Sequence, residues 1–388
     1  MRTFLALVIA AGLAAGSQIV HAQAPIAGDP GRPGPADSDA LQRRKAIVAL
    51  AANKVAPDTA VPTLARMLRD PDAGVRRTAA LTLATYGPSA QGAVADLAAA
   101  LQDQDPQAAV ASAIAVGAIG APARQAVPAL LVALQSTNAP LRQASAVALG
   151  EIGPDAAAAA PVLTSRLADA DASLREAAAA ALGKIGPGAK ESVPALVKSL
   201  GDPDEGTRVA AIEALVNIGP DATSAIPDLA RKLADPSASA RLKAAQALGA
   251  IGRDASSAAP SLAALLTSKE AKPDLRQAAA QSLGAIGTAS PVTVPALAAA
   301  LGDDDDDLRH AAAYAIGDIG PGAVAAVPAL IDTLDDDDEE VRSEVAYALG
   351  AIGPGAVAAI PDLKEALDDE DATVRKAVAE ALGRIQGR

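Results

Sequence analysis

Few side chains in this sequence can do chemistry. It has no cysteine, no tryptophan and two histidines, of which only His310 lies outside the amino-terminal segment. His310 is followed by Ala311, and the equivalent positions one repeat later are Ser343 and Glu344. No His-Glu dipeptide occurs, so no paired histidine–carboxylate metal set can be assembled. Phosphate-cradling Gly-rich motifs, G-x-S-x-G and H-E-x-x-H are also missing. What remains is a chemistry of contact. Tyr314 and Tyr347 stand 33 residues apart, with His310 four residues before Tyr314 and Asp318 four after it. On a helix, that spacing puts all three on one face.

The same interval runs through the chain. Ile119, Ile152, Ile185, Ile218 and Ile251 are 33 residues apart; Ile286, Ile319, Ile352 and Ile385 continue after one step of 35. Tyr86 occupies the same column and is expected in the core. A fixed period of this size marks a helical solenoid whose repeats pack on their neighbours. In the repeat from Ala160 to Gly186, Pro161 opens a first helix and Leu163 and Leu167 share its face. Asp171 is placed to cap a second helix carrying Leu174, Ala177, Ala178, Ala181, Leu182 and Ile185, which Gly186 and Pro187 end. The expectation is an all-α, right-handed α-solenoid over residues 39–388, with ten helix pairs behind one N-terminal capping helix that carries Arg43. The turn Thr267–Pro273 is two residues longer than its counterparts and is read as a boundary between two blocks.

Each turn carries Asp-x-Asp-x-x-(Val/Leu)-Arg. Its arginines are Arg76, Arg142, Arg175, Arg208, Arg241, Arg276, Arg309, Arg342 and Arg375. Six residues earlier stand Asp70, Asp169, Asp202, Asp235, Asp303, Asp336 and Asp369. The reading is a structural ladder, each Arg meeting a neighbouring repeat's Asp. Ala109 breaks the Arg column, and Ser136 and Glu270 break the Asp column.

This pattern resembles the HEAT repeat, most closely the HEAT-like repeats of the phycobilisome lyase group, over about residues 39–385. The resemblance implies one architecture shared by scaffolds, chaperone-type bilin lyases and the di-iron deoxyhypusine hydroxylase. The missing His-Glu pairs argue against the hydroxylase, and export argues against the lyase.

Export is read from residues 1–22. Arg2, the apolar run Phe4–Ala15 and Val20-His21-Ala22 form a signal peptide, cleaved after Ala22; an uncleaved anchor is the alternative. No later segment is expected to span a bilayer. Residues 23–38 read as a disordered Pro/Gly-rich leader. The net charge is −13, and −14 once Arg2 is removed, which disfavours nucleic acid.

Relative to each column Arg, positions +1, +5 and +9 vary most. A binding face is expected there, centred on Tyr314 and Tyr347 with His310, Asp318, Ser343, Gln277, Gln281, Lys376 and Glu380 around them. The alternative is that both tyrosines cover an alanine-rich wall. The acidic turns Asp303–Asp307, Asp335–Glu340 and Asp368–Asp371 form an anionic edge, read as solvated caps or as a patch for a basic partner or weakly bound divalent cations. The functional reading is an exported, monomeric, non-catalytic scaffold without cofactor, in the periplasm or secreted, that binds a protein or peptide. The alternatives are a lyase- or hydroxylase-type accessory protein or enzyme, and a cation-responsive envelope protein.

Overall fold

The computed structural model describes residues 35–387, and no strand occurs among them. The described residues open on α1 (Pro35–Ala52). The pairs that follow are α2 (Pro57–Met67) with α3 (Ala73–Thr85), α4 (Val94–Ala100) with α5 (Pro106–Ile119), α6 (Val127–Ala133) with α7 (Ala139–Ile152), and α8 (Ala160–Arg166) with α9 (Ala172–Ile185). Then come α10 (Val193–Ser199) with α11 (Glu205–Ile218), α12 (Ile226–Arg231) with α13 (Ala238–Ile251), and α14 (Ala259–Leu266) with α15 (Pro273–Ile286). The last are α16 (Thr293–Ala300) with α17 (Asp306–Ile319), α18 (Val327–Asp332) with α19 (Glu339–Ile352), and α20 (Ile360–Glu365) with α21 (Ala372–Ile385). The architecture is thus an all-α solenoid. Two compact units divide it between Leu196 and Val197. The longer turn at 267–273 lies inside the second unit.

The signal-peptide segment lies outside the described residues. Pro35 to Ser38, grouped with the leader by composition, instead form the start of α1.

Each repeat folds for local reasons. At Gly186 the backbone takes φ 70°, ψ −135°, a region closed to residues with a Cβ, so α9 stops there. A 3-10 turn, Gly186–Ser192, carries the chain into α10. The proline column enters at the first or second position of most first helices, where its missing N–H costs nothing. Pro62 differs: α2 begins at Pro57 and encloses it. Asp171 accepts the Ser173 N–H at 3.0 Å and caps α9. Lys272 stands at that position before α15 and provides no side-chain cap.

The core is a column of leucines. Leu64, Leu97, Leu130 and Leu163 in the first unit, and Leu229, Leu262, Leu297, Leu330 and Leu363 in the second, are fully buried. Burying each contributes about 1.5–3 kcal/mol. Tyr86, expected in the core, is only half-buried. Its hydroxyl donates to the carbonyls of Leu50 and Val55, both at 3.1 Å. A tyrosine here places a hydroxyl donor beside the Leu50 and Val55 carbonyls, which an isoleucine could not do.

Second helices of successive repeats meet backbone to small side chain. A Cβ added at Gly150 would lie 2.9 Å from Ala181 Cα, and one at Gly284 would lie 2.7 Å from Ala315 Cα. Only hydrogen at these positions allows the approach.

One expectation needs correcting. Ala139–Arg166, Asp306–Asp332 and Glu339–Asp368 are long and apolar enough to cross a membrane by composition. Each is nevertheless bent at a positive-φ glycine, Gly153, Gly320 or Gly353, and joins the second helix of one pair to the first helix of the next rather than forming one rod.

In a helix interior, Gly→Ala ordinarily stabilises by about 1 kcal/mol. At Gly284 the new Cβ would overpack against Ala315, and overpacking costs about 1–3 kcal/mol. Gly284→Ala is therefore expected to lower the thermal midpoint, as measured by circular dichroism. A raised midpoint would contradict the close approach.

Candidate binding face

Two sets of polar residues run along the repeats, one at the turns and one on the second helices. At several turns the column arginine holds its own repeat and the next. Arg309 Nη1 donates to the carbonyl of Asp303 at 3.0 Å, while Nε and Nη2 reach the Asp336 carboxylate at 2.8 and 2.9 Å. Asp336 in turn accepts the Asp338 N–H at 3.0 Å. Arg208 meets Asp235 and Arg342 meets Asp369 in the same bidentate way, and Arg276 meets Asp303 through one bond of 2.5 Å. Arg76 meets Asp103, and Arg43 of α1 meets Asp70, so the capping helix supplies the first rung.

Other positions depart from the pattern. Arg142 bonds only the carbonyls of Ser136 and Thr137, and its Nε is buried without a partner. Asp169, expected opposite it, lies 3.5 Å from Arg166 instead. Arg241 and Arg375 bond carbonyls of their own turns and no carboxylate among the described residues. For Arg241 the cause is the longer turn, which puts Glu270 where a ladder aspartate would stand. The same turn makes Arg276 Nε bond Leu266 O rather than a carbonyl six residues back. Arg175 keeps the pattern's turn bonds, to the carbonyls of Asp169 and Ala170, and the Asp202 carboxylate accepts the Asp204 N–H as Asp336 accepts that of Asp338.

The Arg276 and Arg342 guanidinium groups hold Asp303 and Asp369 below the ordinary carboxylate range. At Asp235 and Asp336 burial pushes the carboxyl up, but hydrogen bonds from Arg208 or Arg309 and from the backbone outweigh it.

The acidic edge resolves largely into caps. Asp305 accepts from Leu308 N, Asp338 from Glu340 N and Val341 N, and Asp371 from Thr373 N and Val374 N. Asp305, Asp306 and Asp307 bring carboxylate oxygens within 4.8 Å of one another, but Asp305 and Asp306 already accept backbone N–H groups.

On the second helices, Tyr314 of α17 is 46% exposed and Tyr347 of α19 is 42% exposed. Gly317 makes room for the Tyr347 ring, whose Cε1 would be 3.1 Å from an added Cβ. The Arg384 guanidinium lies 5.5 Å from the Tyr347 ring centroid, a cation–π contact. His310 is half-buried and Asp318 exposed. Ser343 is half-buried, its hydroxyl donating to Glu340 O at 3.0 Å. Gln277 is half-buried, while Gln281, Lys376 and Glu380 are exposed, the last two 4.0 Å apart.

The residue that the columns missed is Glu344. Its side chain is 18% exposed, Oε2 lies 3.8 Å from His310 Nε2, and Oε1 is buried without a partner. Burial pushes its carboxyl above the ordinary range; His310 pulls it back and Asp318 pushes it further up. Partial desolvation also raises Asp318, although the residue is exposed. A signal was available: most repeats carry alanine two residues after the column Arg, as at Ala177, Ala210 and Ala311.

The comparisons with known proteins follow this geometry. The family model for HEAT repeats matches residues 35–108, 94–183, 160–239, 226–317 and 294–383, and the chain belongs to the HEAT-repeat family. No curated protein matches the sequence. Among solved structures, an engineered protein is 26% identical with a TM-score of 0.58, over 84% of this chain and 98% of its own. Importin beta is 17% identical with a TM-score of 0.58, over 92% of this chain and 54% of its own. A Kap121p mutant is 13% identical with a TM-score of 0.52, over 99% of this chain and 50% of its own. The chain thus spans about half the length of the last two, and their likeness is one of fold.

Two outcomes follow from these electrostatics. Arg342→Met should cost about 1–3 kcal/mol at neutral pH by stranding the Asp369 carboxylate. The folded pKa of Asp369 is depressed, so the rung's contribution is present above the unfolded value of about 4 and lost as pH falls through the folded one. Urea unfolding from pH 7 to 3 should therefore show variant and wild type converging only in acid. Glu344 has the opposite sign, since its ionised form is penalised in the folded state. Glu344→Gln should raise the thermal midpoint at pH 7, and the advantage should shrink as acid protonates Glu344 in the wild type; an unchanged midpoint would count against its burial.

Proposed function

We propose that this protein is an exported, non-catalytic HEAT-repeat scaffold that holds a protein or peptide segment against the second-helix face around Tyr314 and Tyr347. The observation that carries the reading is the exposure of both rings on neighbouring second helices, in a chain with three tyrosines in all. Tyrosine supplies large rigid area and a hydroxyl, and is enriched where binding energy concentrates. The lack of cysteine and of paired His-Glu ligands supports a binding role over a chemical one. Export rests on Arg2, the apolar run from Phe4 to Ala15 and the small residues up to Ala22. Kinship with lyase-type repeats is the second reading; it draws on the Asp-x-Asp-x-x-(Val/Leu)-Arg turns and implies a bilin that copurifies.

The test uses tagged full-length chains carrying either the wild-type face or Tyr314→Ala/Tyr347→Ala, both recovered from the envelope fraction of producing cells. The expected intact mass places the amino terminus at Gln23. The expected capture is a partner retained by the wild type and lost from the variant, with the two melting within about 2 °C of each other, as exposed substitutions cost little. Identical capture by both would discard the tyrosine face.

A further inference from the structure

Taking the second-helix face as the binding face, we infer that it contains a subsite for a basic side chain of the bound segment, an arginine or lysine seated beside Tyr314 and held by Glu344 and Asp318.

The argument starts from how this face treats charge elsewhere. In the first unit Glu151 meets Lys184 at 2.5 Å, and in the second Glu213 meets Lys243 at 2.8 Å. Each acid is answered by a lysine of the next repeat. Between α17 and α19 the answer is absent. Asp318 has no ion pair or hydrogen bond among the described residues, and Ala285 and Ala351 stand in its column on either side. Glu344 has only His310, which is charged only when protonated, and its Oε1 has no partner at all. The nearby cations are engaged: Lys376 with Glu380, and Arg384 on the Tyr347 ring.

Repeat equivalence places the two carboxylates around Tyr314. Lys243 stands two residues after its column Arg and reaches Glu213, five after the previous one. Glu344 and Tyr314 occupy those same two positions one block later. That register sets Glu344 opposite Tyr314 on the neighbouring helix, with His310, 3.8 Å from Glu344, one turn before Tyr314 and Asp318 one turn after it. A carboxylate short of a cation, next to an exposed aromatic face, is the arrangement that takes an ammonium or guanidinium group. Arg384 over Tyr347 shows the neighbouring ring already holding one. The chain's charge of −13 repels an acidic segment from this face and favours a basic one. A carboxylate left uncompensated against burial gains most from a partner that arrives with the counter-charge.

Tyrosine emission reads the site directly, because the chain has no tryptophan. The probe is an acetylated, amidated Gly-Arg repeat hexapeptide, titrated at low salt against the full chain. A Gly-Gln hexapeptide is the neutral control. Glu344→Gln/Asp318→Asn should weaken the arginine peptide about tenfold or more, the scale of losing charge-assisted contacts. Asp304→Asn/Asp335→Asn removes the same charge from exposed turns and should change the dissociation constant less than about twofold, as expected for screened surface charge. Equal weakening by both pairs would assign binding to diffuse charge and overturn the subsite. Equal affinity for the glutamine peptide would overturn it too, while leaving the tyrosine face intact. No emission change with the arginine peptide also overturns it. The envelope capture with the tyrosine variant judges the binding face separately.

Discussion

The close contact between successive second helices is the constraint on which the rest of this structure depends. It needs glycine or alanine at fixed positions, because a single Cβ at Gly150 or Gly284 would enter the neighbouring backbone. Once two helices touch there, their rotation is set, the leucine columns are aimed at the core and the column arginines at the next turn. The ladder is a consequence of this packing. The first unit shows why: at Ala109 and Ser136 an arginine and its partner 27 residues on are both absent, yet the stack is uninterrupted, with Gly117 seated on Ala148. A buried leucine contributes about 1.5–3 kcal/mol and recurs in every repeat, whereas a rung is dispensed with at Ala109 and Ser136. Packing carries the stack, and the rungs fix the turns.

That division of labour bears on where function can sit. Residues that pack are dictated by the neighbouring repeat, and residues that form rungs are dictated by the next turn. The outward positions of the second helices escape both demands, and there each repeat carries different chemistry. Glu151 with Lys184 and Glu213 with Lys243 close on themselves and leave little for a ligand. The stretch with Tyr314, Asp318, Glu344 and Tyr347 does not close on itself.

The solenoid was legible because its determinants are local and repeated. Pro161, Asp171 and Gly186 each act within a few residues of themselves, so the columns locate both helices of a pair. The rungs at Arg208, Arg309 and Arg342 were legible for the same reason, since one register serves every repeat. Departures arise where a long-range fact intervenes. Arg142 strands its Nε because Asp169 turns to Arg166, a rotamer choice that no column records. Tyr86 sits half-exposed because α1 ends where its hydroxyl can reach two carbonyls. Pro35 to Ser38 read as leader because four residues of Pro, Ala, Asp and Ser have no periodicity, although they form the start of α1. Glu344 escaped because variation was sought in columns that always vary, whereas its signal is a departure in a column that is mostly alanine.

That departure works against the stack. Alanine at position 344 would fit the wall between α17 and α19 and bring no charge to bury. Glutamate there leaves Oε1 without a partner and raises its own pKa, so the folded chain is less stable for holding it ionised. Local rules broken without compensation inside a fold tend to be compensated from outside it. Nothing within the second unit answers Glu344 except His310, and that answer fails when the imidazole is neutral. A cation supplied by a partner would offset the cost of holding this carboxylate ionised, so the same feature that weakens the isolated chain would strengthen the complex.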